Sequence, residues 1–313
     1  MAVAAFAAAK VNLYLHVTGQ REDGYHLVDS LVAFADIGDR LRVEPAPLLS
    51  LTIGGPQAAE LESATNENLV LRAARLLARH AGIAPNATIY LDKNLPVAAG
   101  LGGGSSNAAA ALRALAALWR LPIAEAELRR LGLALGADVP VCLYARSAWV
   151  SGIGDELEPV PDLPAAGILL VNPRRILPTA AVFAARRGPF RDAARFSPMP
   201  ADAAELALAL STRGNDLTEA AVGLVPEIAA VLAALAGLDG ALLARMSGSG
   251  ASCFALFSDR AAAEAAHIAL RCVHPGWWCA AASLVSQPPL CYLLDPSGQS
   301  LGDAAAPPTL QRE

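Results

Sequence analysis

Apolar and polar residues alternate at the start of the chain. From residue 10 to residue 18 every second side chain is apolar, and this period of two predicts a half-buried β-strand. Lys10 and Asn12 then lie on the same face of that strand. After a polar turn, further apolar runs cover residues 27–37, 41–43 and 49–53. Together these segments predict an antiparallel β-sheet.

The rest of the chain switches between helical periodicity and short strand-like runs. An apolar spacing near 3.6 predicts a first helix over residues 66–80, with Thr65 and Asn66 as its expected caps. The same pattern predicts helices that end near 119 and cover 124–135, 178–183, 203–210, 216–222, 226–236 and 259–270. Short apolar runs predict strands over 87–91, 167–171, 242–246, 253–257 and 277–285.

A polar, proline-rich segment at residues 159–164 divides the chain into two halves. We therefore expect an N-terminal domain over residues 1–160 and a C-terminal domain over residues 161–299. With 313 residues, 54% of them hydrophobic, the chain has enough material for two cores. Residues 300–313 are expected to form a disordered tail.

The most informative stretch is rich in glycine and leads directly into an alanine-rich helix. Four of the five residues 100–104 are glycine. Bare backbone N–H groups and the positive end of a helix dipole favour a bound phosphate. A flexible linker capped by serine is the alternative interpretation of the same residues. The candidate cofactor-binding residues here are Pro96, Val97, Ala98, Ala99, Gly100, Leu101, Gly102, Gly103, Gly104, Ser105, Ser106 and Asn107.

Two familiar phosphate loops fit this stretch poorly. A Walker A loop ends in Gly-Lys-Ser/Thr, whereas this loop has no lysine at that place. The spacing of its glycines also departs from the Rossmann fingerprint. The loop therefore predicts a nucleotide triphosphate held by a different scaffold.

Composition and charge disfavour several classes of protein. The net charge is −5 and the basic residues are dispersed, which argues against nucleic-acid binding and against a polybasic membrane surface. The chain has no basic leader and no membrane-like apolar run of about 18 residues, so we expect a cytoplasmic protein. The five cysteines and five histidines show no metal-ligand spacing, which disfavours a zinc site and a disulfide framework.

Lysine is almost absent from the chain. Of the 24 basic residues only Lys10 and Lys93 are lysine, and the others are arginine. A chain with this bias is expected to keep lysine where a compact ammonium is needed instead of a guanidinium. Chance remains the alternative explanation.

Three further polar features have two interpretations each. Asp138 lies in a Leu-Gly-Ala-Asp-Val-Pro segment and is either a turn cap, the commoner role for aspartate, or a group presented into a cleft. Pro140 is expected to hold Val139 in an extended conformation. Residues 247–252 form a second loop of small residues, which is either part of a binding site or a plain hairpin turn. Residues 25 and 26, Tyr-His, either pack on a sheet edge or bind a ligand.

Five segments, taken in order, resemble the GHMP kinase family. They are residues 10–13, 19–26, 100–109, 135–140 and 247–251. The glycine-rich segment marks the family as a whole. The D-G-Y-H and G-A-D-V-P elements are similar to the branch that phosphorylates 4-diphosphocytidyl-2-C-methyl-D-erythritol in the non-mevalonate isoprenoid pathway. The resemblance implies an α+β, two-domain GHMP kinase fold with the active site in the cleft between the domains.

The resemblance also implies roles for individual residues. Asp138 matches the catalytic acidic residue, which acts as a general base and accepts the proton of the substrate hydroxyl. Lys10 matches its cationic partner. ATP is expected on the glycine-rich loop, with Asn68 and Lys93 beside the nucleotide. Mg²⁺ is expected to bridge the β- and γ-phosphates. The hydroxyl of Ser105 or Ser106 is a candidate contact for the metal, and the choice stays open.

The implied substrate site lies on both halves of the chain. Tyr25 and Phe183 are expected to stack on the two faces of the cytosine, with His26 at its edge and Thr179 nearby. Asn12 is expected to contact the erythritol. Gly248 and Gly250 of the second glycine loop complete the candidate substrate-binding residues.

Other functions remain as alternatives. Another GHMP kinase, such as a homoserine or mevalonate kinase, would share the ATP loop without needing a cytosine pocket. A nucleotide-sensing pseudokinase is disfavoured because Lys10 and Asp138 are both present. For the proposed partners we expect a small-molecule substrate, no nucleic acid and no membrane, and either a monomer or a weak homodimer.

Overall fold

The computed structural model describes residues 2–61, 68–294 and 300–303. The strands in these residues are β1 Ala2–Gln20, β2 His26–Pro45, β3 Ser50–Gly54, β4 Ala87–Asp92, β5 Ala148–Ser151, β6 Glu156–Pro159, β7 Gly167–Asn172, β8 Leu243–Met246, β9 Cys253–Phe257, β10 Trp278–Val285, β11 Cys291–Leu294 and β12 Ser300–Asp303. The helices are α1 Leu69–Ala81, α2 Gly103–Leu118, α3 Glu125–Leu133, α4 Val139–Tyr144, α5 Thr179–Ala185, α6 Ala203–Ser211, α7 Thr218–Leu224, α8 Glu227–Ala236 and α9 Arg260–Val273, with a short 3₁₀ turn at Ala58–Glu60.

A long antiparallel hairpin of β1 and β2 is the backbone of the fold. Its register runs from Val3 opposite Val43 to Gln20 opposite His26. The predicted runs 27–37 and 41–43 are therefore one strand. The strand passes through Gly38, where a Cβ would lie 2.2 Å from the Ala7 carbonyl oxygen. Glycine lets the two backbones stay close there, next to a register shift that begins after Ala8.

Two groups of strands extend this hairpin. Strands β3 to β6, β11 and β12 join β1 and β2 in a first group, and β7 to β10 form a second. The two groups meet where Leu284 of β10 pairs with Ala35 of β2. The mixed α and β composition confirms the predicted α+β fold class.

The prediction of an entirely antiparallel first sheet is wrong for β3. This strand pairs with β4 in parallel, with Ser50 opposite Thr88. Helix α1 connects the two strands, and a crossover helix is the usual way to join parallel neighbours.

Three apolar cores support the sheets, and β1 contributes to each of them. Helices α1 to α4 pack on the first core, which includes Ala5 of β1. Helix α6 packs on the second, which includes Val11, and α5, α7, α8 and α9 pack on the third, which includes Val17. The middle of β1, with Lys10 and Asn12, therefore lies where helices from both halves of the chain converge.

Several element ends differ from the predictions. The expected caps of α1, Thr65 and Asn66, lie outside the described residues, and Asn68 caps the helix by accepting a bond of 2.9 Å from the Val70 amide. Predicted disorder is wrong for residues 300–303, which form β12 on the first sheet group, while 304–313 lie outside the described residues. None of the helices in the described residues is long and apolar enough to cross a membrane.

Candidate active site

The glycine-rich loop is fastened to β1 and ends at the N-terminus of α2. The Lys10 amide donates to the Leu101 carbonyl (2.9 Å), and the Ser106 hydroxyl donates to the Ala8 carbonyl (2.8 Å). Gly102 occupies the N-cap position with a φ of 64°. Because Gly102 is a cap without a side chain, the first N–H groups of α2 are open to a ligand.

The second small-residue loop clamps the first one from behind. Residues 247–252 join β8 to β9 as the predicted hairpin, with Met246 opposite Cys253. The Ser247 hydroxyl donates to the Gly100 carbonyl (2.9 Å) and accepts from the backbone N–H of Asn12 (3.2 Å). The Ser252 amide donates to the Ala99 carbonyl at 3.0 Å. One turn therefore connects the glycine-rich loop to β1.

Gly100 has no room for a side chain between the two loops. Its φ is 71°, and a Cβ would lie 2.4 Å from the Ser247 carbonyl oxygen. Gly82, the C-cap of α1, has a similar φ of 66°, but a Cβ there would meet no atom within 4 Å, so this position separates backbone strain from crowding.

Gly100→Ala is expected to weaken ATP binding at least tenfold, because the added methyl group pushes the two loops apart. Gly82→Ala is expected to cost only the left-handed strain, about 1 to 2 kcal/mol of unfolding free energy, and to leave ATP binding unchanged. Urea unfolding and ATP titration of both variants measure the difference. Equal effects on ATP binding would contradict the clamped-loop description.

Lys10 and Asp138 form an ion pair beside the loop. Lys10 Nζ lies 2.9 Å from Asp138 Oδ2, with 3% of the lysine side chain and 45% of the aspartate side chain exposed. Lys10 Nζ also donates to Asn12 Oδ1 at 2.8 Å, so the shared strand face predicted for these residues is confirmed. A Cβ added to Gly102 would lie 3.1 Å from Lys10 Cβ. The ammonium is therefore enclosed, while the carboxylate faces open space.

Of the two roles that its sequence context suggested, the side chain of Asp138 takes the second and is presented into the site. It occupies the N-cap position of α4, but its side chain makes no capping bond and turns to Lys10 instead. The expected extended conformation of Val139 is wrong, since Val139 begins α4 and Pro140 follows in the first turn. Proline is accepted there because first-turn N–H groups need no helical partner.

Lys93 lies beneath the loop in a buried ion pair. Its ammonium is 2.6 Å from Asp39 Oδ2, and both side chains are buried. Asp39 Oδ1 accepts from the amides of Asn94 (2.7 Å) and Leu95 (2.8 Å). A Cβ on Gly103 would come 3.3 Å from Lys93 Nζ. The pair thus supports the start of the loop, and the role of Lys93 towards ATP stays a prediction.

Asn68 brings the start of α1 close to the same loop. A Cβ added to Gly104 would lie 3.3 Å from Cδ1 of the next residue, Leu69. Asn68 therefore lies near the expected nucleotide, although its side-chain oxygen already caps α1.

The candidate cytosine-binding residues are only partly brought together. The His26 ring stacks on Phe183 with centroids 5.1 Å apart, and Thr179 Oγ1 lies 2.9 Å from Ser249 Oγ. Tyr25 is 59% exposed, and within the described part of the chain its ring stacks on no other ring. A base between Tyr25 and Phe183 would have to replace the His26 ring on Phe183.

Partial burial, and then the nearby Arg186 guanidinium, lower the pKa of His26. Its imidazole is therefore neutral at neutral pH and presents one donor and one acceptor nitrogen. A neutral ring suits hydrogen bonding to the edge of an uncharged base.

Cys142, beside Ser106, is a poor nucleophile because burial raises the pKa of its thiol to about 12.

The sequence interpretation missed three polar residues of this site. Ser30 and Ser247 hold Asn12, and Asp39 holds Lys93. Ser30 had a weak signal, because it interrupts the apolar run at residues 27–37. Ser247 lies in the second loop of small residues, which the sequence singled out without assigning a role to this serine. Asp39 had no signal, because it lies in a short polar break between two apolar runs.

Comparisons with known proteins agree over most of the chain. The family model of the GHMP kinases N terminal domain matches residues 68–146, and that of the GHMP kinases C terminal region matches residues 200–275. The 4-diphosphocytidyl-2-C-methyl-D-erythritol kinase of Paramagnetospirillum magneticum is 52% identical over 90% of this chain and 98% of its own length. The enzyme of that name from Ruegeria pomeroyi is 54% identical over 90% and 98%.

Solved structures show the same likeness. The crystal structure of a 4-(cytidine 5'-diphospho)-2C-methyl-D-erythritol kinase superposes with a TM-score of 0.73 at 37% identity, covering 90% of this chain and 98% of that one. The homoserine kinase from Cytophaga hutchinsonii superposes with a TM-score of 0.68 at 18% identity, covering 93% and 96%. At that identity the second likeness concerns the fold alone.

Proposed function

We propose that this chain, which belongs to the GHMP kinase family and is a small-molecule kinase, transfers the γ-phosphoryl group of ATP to the 2-hydroxyl of 4-diphosphocytidyl-2-C-methyl-D-erythritol. The observation that carries the proposal is the pair of Lys10 and Asp138, 2.9 Å apart beside an open helix N-terminus. The product would enter the non-mevalonate isoprenoid pathway.

Asp138 is the proposed general base. One carboxylate oxygen is held by Lys10, and the half-exposed side chain leaves Oδ1 for the substrate hydroxyl. As the hydroxyl oxygen attacks the γ-phosphorus, its proton passes to Asp138, the bond from the γ-phosphorus to the bridging oxygen breaks, and ADP leaves. The Lys10 ammonium holds Oδ2 in the ion pair and so orients the carboxylate, with its other oxygen towards the open side.

The glycine-rich loop is the proposed binding site for the ATP triphosphate. The first N–H groups of α2 and the bare backbone of Gly102 to Gly104 give donors without side chains in front of them. Because the Gly102 backbone lies against the Lys10 stem, the triphosphate and the ion pair would be neighbours. This neighbourhood is what an in-line transfer requires.

The loop is compatible with Mg²⁺ that is bound mainly by the nucleotide. The described residues hold no group of three His, Cys, Asp or Glu side chains that could form a protein cage. The Ser106 hydroxyl donates to Ala8, whereas Ser105 is half-buried at the helix start, so Ser105 is the better protein contact. Bound to the phosphates, Mg²⁺ supplies charge neutralisation.

Phe183→Ala tests the proposed cytosine pocket. Loss of the stacking surface is expected to raise the Michaelis constant for the cytidyl substrate roughly 10-fold or more, because base stacking on aromatic rings contributes about 1–3 kcal/mol. The constant for ATP should change less than about twofold. Steady-state kinetics with each substrate varied in turn measure both values. Equal changes in the two constants would remove Phe183 from the base-binding site.

A substrate panel tests the proposed reaction itself. Purified protein, ATP and Mg²⁺ are incubated separately with the cytidyl substrate, with homoserine and with mevalonate, and ADP release is followed. We expect release with the cytidyl substrate alone. Release with homoserine or mevalonate instead would keep the kinase fold and reject the cytosine pocket.

A further inference from the structure

A buried hydrogen-bond chain leads from the backbone of β1 to the Lys10 ammonium. Ser30 of β2 is 1% exposed, and its hydroxyl donates to the Tyr14 carbonyl oxygen. Asn12 Nδ2 donates to the same Ser30 oxygen at 2.8 Å, and Asn12 Oδ1 accepts from Lys10 Nζ at 2.8 Å. Every link lies within the β1–β2 hairpin and ends at the ion pair of the proposed active site.

The chemistry of these groups gives the chain one direction. A backbone carbonyl can only accept, so the Ser30 hydroxyl proton is committed to Tyr14. The Ser30 oxygen must then accept from Asn12, which places the amide nitrogen of Asn12 towards Ser30. The amide oxygen is left facing Lys10. The reverse orientation would bring an NH₂ group against an ammonium, with two donors facing each other.

We propose that Ser30 is a positioning residue for phosphoryl transfer. It holds the Asn12 amide in the orientation that offers an acceptor to Lys10, and Lys10 in turn stays beside Asp138. This inference rests on the proposed function, in which Lys10 and Asp138 act together. Ser30 itself is too deeply buried to touch a nucleotide or substrate.

Burial allows this hydrogen-bond chain to fix the orientation of the Asn12 side-chain amide. Lys10, Asn12 and Ser30 are all buried, so water cannot readily replace a lost partner. Asn12 pairs with Val32 of β2, and Ser30 lies two residues along that strand on the same face. The two strands thus present the amide and the hydroxyl to each other without a flexible loop between them.

Ser30→Ala is expected to lower the turnover number roughly tenfold, the scale of one buried hydrogen bond to a polar group near a charge. The Michaelis constant for ATP should change less than about twofold, because no contact of the glycine-rich loop is removed. Ser30→Thr keeps the hydroxyl and should restore turnover. In the Asn12→Ala background the Ser30→Ala change should have no further effect, since Ser30 acts through Asn12.

Ser147→Ala is the matched control. Ser147 is also a buried serine near β5, and its hydroxyl has no hydrogen-bond partner among the described residues. Its removal should leave turnover unchanged. If Ser30→Ala does not fold, Ser30→Cys, which keeps the side-chain volume and weakens the donor, takes its place. Unchanged turnover in a folded Ser30→Ala or Ser30→Cys variant would overturn the proposal. A further loss of turnover on adding Ser30→Ala to Asn12→Ala would also overturn it.

A second readout does not depend on the substrate. In ¹⁵N-labelled protein the side-chain amide protons of Asn12 should exchange slowly with solvent in the wild type and much faster in Ser30→Ala. Equal exchange rates in the wild type and in Ser30→Ala would overturn the positioning role of Ser30 even if the kinase reaction is as proposed. If the wild type fails to phosphorylate the cytidyl substrate while exchange behaves as expected, the proposed function fails and the orientation of Asn12 stands.

Discussion

Asp138→Asn is expected to lower turnover roughly 10³-fold, because the amide cannot accept the proton of the attacking hydroxyl. ATP binding should change less than about threefold, since the side chain of Asp138 is not part of the glycine-rich loop. The asparagine has nearly the same shape, so the loss reports the chemistry and not the packing. Single-turnover phosphorylation and ATP titration give the two numbers.

Asp162→Asn is the control for this change. Asp162 is exposed in the segment before β7 and makes no ion pair among the described residues, so its substitution should leave turnover as it is. Unchanged turnover in Asp138→Asn would remove Asp138 from the mechanism. A loss confined to ATP affinity would assign it to nucleotide binding instead.

Lys10→Arg is expected to lower turnover roughly 10²-fold, comparable to loss of one stabilising donor from an active site. The lysine is buried between Asn12 Oδ1 at 2.8 Å and Asp138 Oδ2 at 2.9 Å. A Cβ on Gly102 would come within 3.2 Å of Lys10 Cε, so the stem is already packed against the loop. A planar guanidinium is wider than an ammonium and would push Gly102 or Asp138 aside.

Lys10→Met separates size from charge in the same position. Methionine fills a similar volume without a charge, so it should also lose turnover, while thermal unfolding reports whether either variant still folds. Full turnover in Lys10→Arg would refute the need for a compact ammonium. Full turnover in Lys10→Met would refute the need for any cation beside Asp138.

Local pattern was enough to predict most helices and strands. Alternation predicted the second half of β1, and the spacing of apolar residues predicted α1, α2 and the elements from β7 to β10 within a few residues. The errors came from contacts that pattern does not contain. Gly38 joins two apolar runs into β2 because Ala7 approaches it from the neighbouring strand, and β3 runs parallel to β4 because α1 returns the chain.

The site was predictable where its residues share one element. Lys10 and Asn12 were placed together by strand periodicity alone. Ser30, Ser247 and Asp39 were missed because their partners are distant in the chain, 235 residues apart for Ser247 and Asn12. No local period predicts which strand or turn arrives beside β1, and the positions of these three residues follow from the tertiary fold.

The central claim is transfer of the γ-phosphoryl group to one hydroxyl by the Lys10 and Asp138 pair. The most direct test is ³¹P NMR of the product formed from 4-diphosphocytidyl-2-C-methyl-D-erythritol carrying ¹³C at the 2-position, with wild type and Asp138→Asn in parallel. We predict a new phosphomonoester signal in the wild type that is coupled to that carbon and, because the 2-position carries no hydrogen, is not split by a proton on the esterified carbon. We predict no such signal over the same time in the variant. A phosphate on another hydroxyl, or the same signal from Asp138→Asn, would contradict the account.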